Sequence, residues 1–310
     1  MAFTAADVKK LREMTNVGMM DCKKALTEAD GDFDKAIELL REKGLAKAAK
    51  KADRIAAEGV VCATVCDDCG VGAIIEVNSE TDFVAKNADF QQFVADLAGV
   101  VMKEAPADVE ALKACKMGDL TVQEVLQEKV LTIGENIQIR RFDRFDESTV
   151  NVAYTHMGGV IGVLVGLQVS DNLKGNATVK ELGKDIGMQA AAMNPSFMDK
   201  SEVDEATLAK EKEILLIQAL EENKNAAKPK PEQIIHKMVE GRIGKYYEEN
   251  CLLQQAFVKE NKVSVEQHIA AVAKELGGEI KLVKCVRFEK GEGIEKKQDD
   301  FAAEVASMAK

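Results

Sequence analysis

Val60-Val61-Cys62-Ala63-Thr64-Val65-Cys66, then Asp67-Asp68-Cys69-Gly70, then Val71-Gly72-Ala73-Ile74-Ile75-Glu76-Val77-Asn78 is the stretch that decides the fold. Two β-rich runs flank a polar turn ending in Gly, the signal of an antiparallel hairpin. Beyond it the period changes, and Phe90, Phe93, Val94, Leu97 and Val101 recur at helical spacing. Thr121 followed by Glu124 has the capping-box pattern of another helix start, and Ile137, Ile139 and the residues to Phe145 read as a strand. The same order then returns. Val150–His156 and Val160–Val169 flank Gly158-Gly159 as a second hairpin, and Val179, Leu182, Ile186 and Met193 mark a helix. Val265, Ile269, Val272 and Leu276 mark another, closed by Gly277-Gly278 and followed by a strand over Ile280–Phe288. Gly134-Glu135-Asn136-Ile137 leads into the first closing strand and Gly278-Glu279-Ile280 into the second; the strands end in Arg144-Phe145 and Arg287-Phe288. The fold class is therefore read as α+β, with two duplicated core subdomains built on antiparallel sheets, residues 59–147 and 148–290.

Outside this core the pattern is helical. Residues 1–44 read as a three-helix module of ubiquitin-associated type. Thr4 with Asp7 starts its first helix, Met19, Met20, Cys22, Ala25 and Leu26 populate the second, and Phe33, Ala36, Ile37 and Leu40 stripe the third. Gly44 is the expected stop, and the basic, Ala-rich residues 45–58 read as a solvated linker helix. The second subdomain carries an insertion over about residues 195–248. Ser201–Glu222 reads as a helix with Leu208, Leu215 and Leu220 along it, Lys228-Pro229-Lys230-Pro231 breaks it, and Ile235, Met238, Val239 and Ile243 begin another. Two helices so joined are expected to pack antiparallel as a coiled-coil hairpin. Phe301, Val305 and Met308 stripe a short C-terminal helix in a last module, residues 291–310.

Composition narrows the function. The chain has 310 residues, 46% hydrophobic and 31% charged, enough to bury cores without disulfides or metals. A net charge of −11 argues against nucleic acid as the partner, because neutralising phosphates is the main non-specific driving force there; a protein partner is expected instead. No apolar stretch approaches the ~20 residues of a membrane span. Met1-Ala2-Phe3-Thr4 opens no apolar signal core, so a cytoplasmic location with reduced thiols is expected, and the lack of a transit pattern favours bacterial cytoplasm. Gly241-Arg242-Ile243-Gly244-Lys245 lacks the spacer of a phosphate-binding loop, and Gly70-Val71-Gly72 has Ile75 where a dinucleotide fingerprint needs its third Gly. His156, His236 and His268 have no metal spacing. Cys66 and Cys69 form a C-x-x-C pair beside Cys62, but no nearby fourth ligand completes a zinc site; ordinary thiols are the reading taken, with a metal or redox role as the alternative. No cofactor, no metal and no catalytic residue are expected.

Two stretches carry more than composition. One is Val8-Lys9-Lys10-Leu11-Arg12-Glu13-Met14-Thr15-Asn16-Val17-Gly18-Met19-Met20-Asp21-Cys22-Lys23-Lys24-Ala25-Leu26, and the other is Glu76-Val77-Asn78-Ser79-Glu80-Thr81-Asp82-Phe83-Val84-Ala85-Lys86-Asn87. Both resemble the signatures of elongation factor Ts, the family of exchange factors for elongation factor Tu. His156 before Ile161-Gly162-Val163-Leu164, Met238-Val239-Glu240-Gly241-Arg242 and Arg287-Phe288-Glu289-Lys290-Gly291-Glu292-Gly293-Ile294-Glu295 support it, so the resemblance runs through almost the whole chain. Asn16 stands where the family usually has Gly; Asn tolerates left-handed geometry better than most residues. The Cys62-Cys66-Cys69 cluster is not a family feature.

The resemblance implies a guanine nucleotide exchange factor in translation elongation, not an enzyme. It implies that Thr81, Asp82, Phe83 and Val84 insert into the GTPase domain of elongation factor Tu in its GDP-bound and nucleotide-free states. Phe83 would be an apolar wedge near the Mg²⁺ site and Asp82 would disturb the polar contacts supporting the ion. Leu11, Met19 and Met20 would contact the same partner from the N-terminal module, and His156 a second domain of it. A homodimer or a two-plus-two complex is compatible with this. The plainer reading of Phe83 and Leu11 is core packing, and of His156 an ordinary strand end. Neighbours on a helix point about 100° apart, so Met19 and Met20 cannot both face one core. Two other classes compete: an adaptor binding ubiquitin or peptides through residues 1–44, and an enzyme with a Cys nucleophile on the α+β core. Neither accounts for the Thr81–Val84 segment.

Overall fold

A computed structural model describes residues 3–15, 17–51, 53–225 and 230–295. Asn16, Pro229 and the expected helix around Phe301, Val305 and Met308 lie outside the described residues. Mixed helix and antiparallel sheet confirm the α+β class.

Helices α1 (Ala5–Thr15), α2 (Met19–Glu28) and α3 (Phe33–Lys51) bury Val8, Leu11, Cys22, Leu26, Ala36 and Leu40 against one another. Thr4 and Asp7 cap α1 reciprocally: the Thr4 amide donates to Asp7 Oδ2 at 2.7 Å and the Asp7 amide to Thr4 Oγ1 at 3.4 Å. Gly44, the expected stop of α3, does not end it: the helix runs through it to Lys51, and residues 53–57 are not helical, so no separate linker helix spans 45–58. Gly44 is buried within the helix beside Leu131 of a later helix, from which a Cβ would lie 3.5 Å, an ordinary contact distance.

The first sheet pairs β1 (Glu58–Val65) and β2 (Gly72–Ser79) as the expected hairpin, with Cys66 and Val71 closing the turn and Gly70 at φ 70°. Next come α4 (Asp82–Ala85), α5 (Ala88–Glu104), α6 (Val109–Ala114), a small ladder of β3 (Lys116–Met117) with β4 (Leu120–Thr121), and α7 (Val122–Ile133). Strand β5 (Gln138–Phe145) then pairs antiparallel with β2, giving the order β1-β2-β5. The second half repeats this order. Strands β6 (Val150–His156) and β7 (Ile161–Val169) form a hairpin, α8 (Ala177–Met193) covers it, a small ladder of β8 (Ala256–Phe257) with β9 (Glu260–Ser264) leads into α11 (Val265–Leu276), and β10 (Ile280–Glu289) pairs with β7. Correspondence reaches single residues. Thr121 and Ser264 cap their helices with boxes completed by Glu124 and Gln267, Gly134 and Gly277 end them left-handed, and both closing strands carry a bulge, at Arg140 and at Val283.

The two sheets pack face to face through Val61, Ile74, Phe145, Leu164 and Phe288. The approach is close because glycine is there: a Cβ on Gly162 would fall 2.5 Å from Val61 Cγ1. Between α8 and β8, helices α9 (Glu205–Lys224) and α10 (Glu232–Asn250) pair through Leu215, Ala219, Ile235 and Val239. Helix α9 starts later than Ser201 because Asp204 supplies its cap, accepting from the Thr207 amide at 2.8 Å.

Candidate functional site

Strand β2 leaves the core at Ser79, and the chain turns at once into the one-turn helix α4. Thr81 is its N-cap, in extended conformation, with its hydroxyl accepting from the Val84 amide at 3.4 Å. The turn divides its side chains by direction. Ala85 is buried and Val84 packs partly against the core between α5 and the first sheet, while Asp82 and Phe83 face out. Phe83 is 82% exposed, the most exposed of the large apolar side chains among the described residues. The Lys86 ammonium, 2.6 Å from Asp82 Oδ2, holds that carboxyl below the usual carboxylate range. So the core reading of Phe83 fails: the structure presents a bare aromatic ring beside an ion pair.

Two sets of contacts hold this turn. At its entrance, Glu135, just past the left-handed Gly134, accepts from the Glu80 and Thr81 amides at 3.0 Å each and from the Thr81 hydroxyl at 2.6 Å. Glu80 answers by accepting from the Asn136 amide at 2.6 Å. Deeper on β2, the fully buried Glu76 carboxylate lies 2.9 Å from Arg140 and 2.6 Å from Arg141, and accepts from Asn78 Nδ2 at 3.2 Å and the Gly291 amide at 2.8 Å. Gly291, at φ 68°, presses on Ala57, where a Cβ would lie 2.0 Å from the carbonyl oxygen. Arg141 also reaches Glu292 at 2.9 Å and stacks over Phe288; burial alone would lower its pKa, but hydrogen bonds to Glu292 and Glu76 raise it. Two sequence stretches far apart, Glu76–Asn87 and Arg287–Glu295, are thus one structural unit.

The N-terminal residues divide. Leu11, expected as a contact residue, is fully buried in the three-helix core and presents nothing to solvent in this chain. Met19 and Met20 are 42% and 64% exposed, so both of the adjacent methionines face out. The end of α1 meets the Phe83 turn across a groove of about 580 Å³ lined by Thr15, Phe83, Val84, Val125, Lys129 and Ile133. His156 does not join this groove. It stands exposed at the end of β6, its Nδ1 3.1 Å from the Tyr154 hydroxyl and its ring stacked on the Tyr ring, next to exposed Met157. Cys62 packs at the core edge, where burial raises its thiol pKa. Cys66 accepts from the Cys69 amide at 3.3 Å, and among the described residues no group of three His, Cys, Asp or Glu side chains is placed to hold a metal ion.

Sequence reading missed Glu76, Glu80 and Glu135 as parts of the site. For Glu76 a signal existed, since it is the one charged residue in its strand and follows the apolar run Ala73-Ile74-Ile75. Glu135 carried none, because its partners lie far away along the chain.

A family model described as elongation factor TS matches residues 80–292. Full-length similarity agrees. The chain is 50% identical over 309 residues to elongation factor Ts of Clostridioides difficile (strain 630), covering 99% of each chain. It is 51% identical over 307 residues to that of Clostridium perfringens, covering 98% of each. It is 48% identical over 312 residues to that of a Nitratiruptor species, covering 100% of each. No described helix is long and apolar enough to cross a membrane. The chain belongs to the elongation factor Ts family.

Proposed function

We propose that this chain is a guanine nucleotide exchange factor that binds elongation factor Tu and promotes GDP release during translation elongation, in the cytoplasm. The observation that carries this is Phe83, an aromatic ring left almost wholly in water on a turn held from two sides. A monomer gains nothing from such a residue, and a rigid apolar anchor is what a protein partner's pocket takes.

The energetic logic is reciprocal. A GTPase grips GDP through its phosphates and Mg²⁺; a protein that binds the empty form best weakens nucleotide by the same factor that nucleotide weakens it. In this reading Phe83 wedges into the GTPase domain, Thr81 and Val84 set its direction, and Asp82 perturbs the polar groups around Mg²⁺. Met19 and Met20 add adaptable apolar contacts and His156 touches a second domain, while Leu11 acts only by supporting the methionine surface from beneath. Residues 59–147 and 148–290 are two copies of one subdomain, and the helical hairpin within about residues 195–248 is an insertion in the second copy.

The test is release of fluorescent GDP from elongation factor Tu against excess unlabelled GDP. Burying a Phe is worth about 1.5–3 kcal/mol, so Phe83→Ala is expected to slow stimulated release by roughly ten- to a hundredfold with an unchanged melting temperature. Full stimulation by Phe83→Ala rejects the wedge, and no stimulation by the unaltered chain rejects the function.

A further inference from the structure

We infer that Glu135 is a positioning residue for exchange: its carboxylate, reaching from the α7–β5 junction, sets the direction in which α4 presents Phe83. The inference rests on Phe83 being the group that acts on elongation factor Tu.

Four residues cannot hold a helical turn by themselves, because nucleation fixes several dihedrals for a single hydrogen bond. Helix α4 therefore takes its geometry from what grips its ends. Its far end is fixed by packing: Ala85 is buried, its carbonyl accepts from Gln91 Nε2 at 3.1 Å, and Asn87 caps α5. Its near end is led in by Ser79, which is fully buried and donates its hydroxyl to the Thr81 carbonyl at 3.0 Å, but the Thr81 amide and hydroxyl are left to find a partner outside the turn. Glu135 is that partner, and its bonds fall on the residue whose torsions aim the turn. Both Thr81 donors, the amide at 3.0 Å and the hydroxyl at 2.6 Å, end on the one carboxylate. With its proton committed to Glu135, the hydroxyl oxygen faces its lone pair to the Val84 amide and caps the turn. The clamp is two-sided, since Glu80 returns a bond to the Asn136 amide at 2.6 Å. The anchor is firm: Gly134 ends α7 left-handed and β5 begins at Gln138, so Glu135 projects from a short, tightly bound junction. Bonds from neutral donors to a carboxylate are roughly twice as strong as neutral pairs, so this is the contact whose loss frees the turn most.

Glu135 touches no group of elongation factor Tu, so its removal acts on release through the direction of the Phe83 turn. In the fluorescent GDP assay at saturating exchange factor, Glu135→Ala is expected to slow release about tenfold, the equivalent of one charged hydrogen bond. Glu135→Gln is expected to recover part of the rate, because its amide oxygen still accepts from the Glu80 and Thr81 amides. Because both act through the same ring, Glu135→Ala is expected to add no further loss to Phe83→Ala. Amide hydrogen exchange at Glu80 and Thr81 in the full chain is expected to quicken in Glu135→Ala while β2 stays protected; if that variant melts early, Glu135→Gln carries the comparison. Wild-type release by Glu135→Ala alongside an impaired Phe83→Ala overturns the positioning role, as do losses that multiply in the double variant. Wild-type release by Phe83→Ala overturns the underlying wedge reading instead.

Discussion

Glu76→Gln is a sharp probe of the join between the two sheets. Glu76 is fully buried, and Oε1 takes Arg140, Asn78 and the Gly291 amide while Oε2 takes Arg141 Nε at 2.6 Å. In Gln the amide oxygen can keep the first set, but the amide nitrogen then faces Arg141 Nε, donor against donor. Breaking a wholly buried ion pair costs about 3–5 kcal/mol. The two Arg side chains are 27% and 32% exposed, and Arg141 keeps Glu292, so water and that second carboxylate recover part. The expected loss is about 2–3 kcal/mol, and Glu76→Ala is expected to lose more, because the Gly291 amide and Asn78 then lose an acceptor. The assay is urea unfolding followed by far-ultraviolet circular dichroism, with the slope checked for two-state behaviour. Pairing Glu76→Gln with Arg141→Gln removes the donor conflict, so the double variant is expected to lose less than the single losses together. Strict additivity, or a Glu76→Gln chain as stable as wild type, would refute the claim that this carboxylate ties the Gly291 segment to β2.

Glycine supplies an opposed pair of predictions in the same assay. Gly162→Ala places a methyl 2.5 Å from Val61 Cγ1 and is expected to destabilise by about 1–3 kcal/mol. Gly241→Ala, exposed within α10 with open space around it, is expected to stabilise that helix by about 0.5–1 kcal/mol. Thiol chemistry supplies the other: the Cys69 hydrogen bonds lower the Cys66 pKa, whereas burial raises those of Cys62, Cys22 and Cys251. Iodoacetamide followed by peptide mass mapping is expected to label Cys66 before those three, at a pH below that of an ordinary thiol, and Cys69→Ala is expected to slow that labelling.

What was legible in the sequence was local and periodic. The β1–β2 hairpin, the Thr121–Glu124 box and the Arg-Phe ends of β5 and β10 each declare themselves within a few residues, through turn chemistry, capping or alternation. Gly44 shows a related limit: a Gly at a plausible helix end signals a C-cap, but α3 continues through it with Leu131 packed beside it, and nothing local distinguishes the two outcomes. Phe83 shows the limit most directly. Leu11 falls three residues after Val8 on a helical stripe and is buried with it, but α4 is too short to have a period, so nothing local marks Phe83 as exposed. Glu135 and Gly291 act across long stretches of chain on groups that no spacing rule relates to them.

The clamps explain why an exposed ring can be useful. A Phe on a loose loop would lose its rotational and backbone freedom on docking, and that loss subtracts from what the partner gains by burying it. Here the freedom is removed during folding. Strand β2 is buried along its whole length; Glu76 locks its middle to β5 and to the Gly291 turn beyond β10, and Glu135 locks its exit at Glu80 and Thr81. The Phe83 turn is thus referenced to both sheets at once, so a force on the ring is transmitted to two cores and not absorbed by a hinge. Arg287 pairs with Glu289 at 2.6 Å and, more loosely, Glu292, and the Lys290 ammonium pairs with the Glu58 carboxylate at the start of β1, close enough for its field to reach Asp82. The second half of the chain therefore braces the site carried by the first. Under the proposed function this rigidity is what Phe83 would need: a wedge that yields under load would leave the nucleotide pocket as it found it.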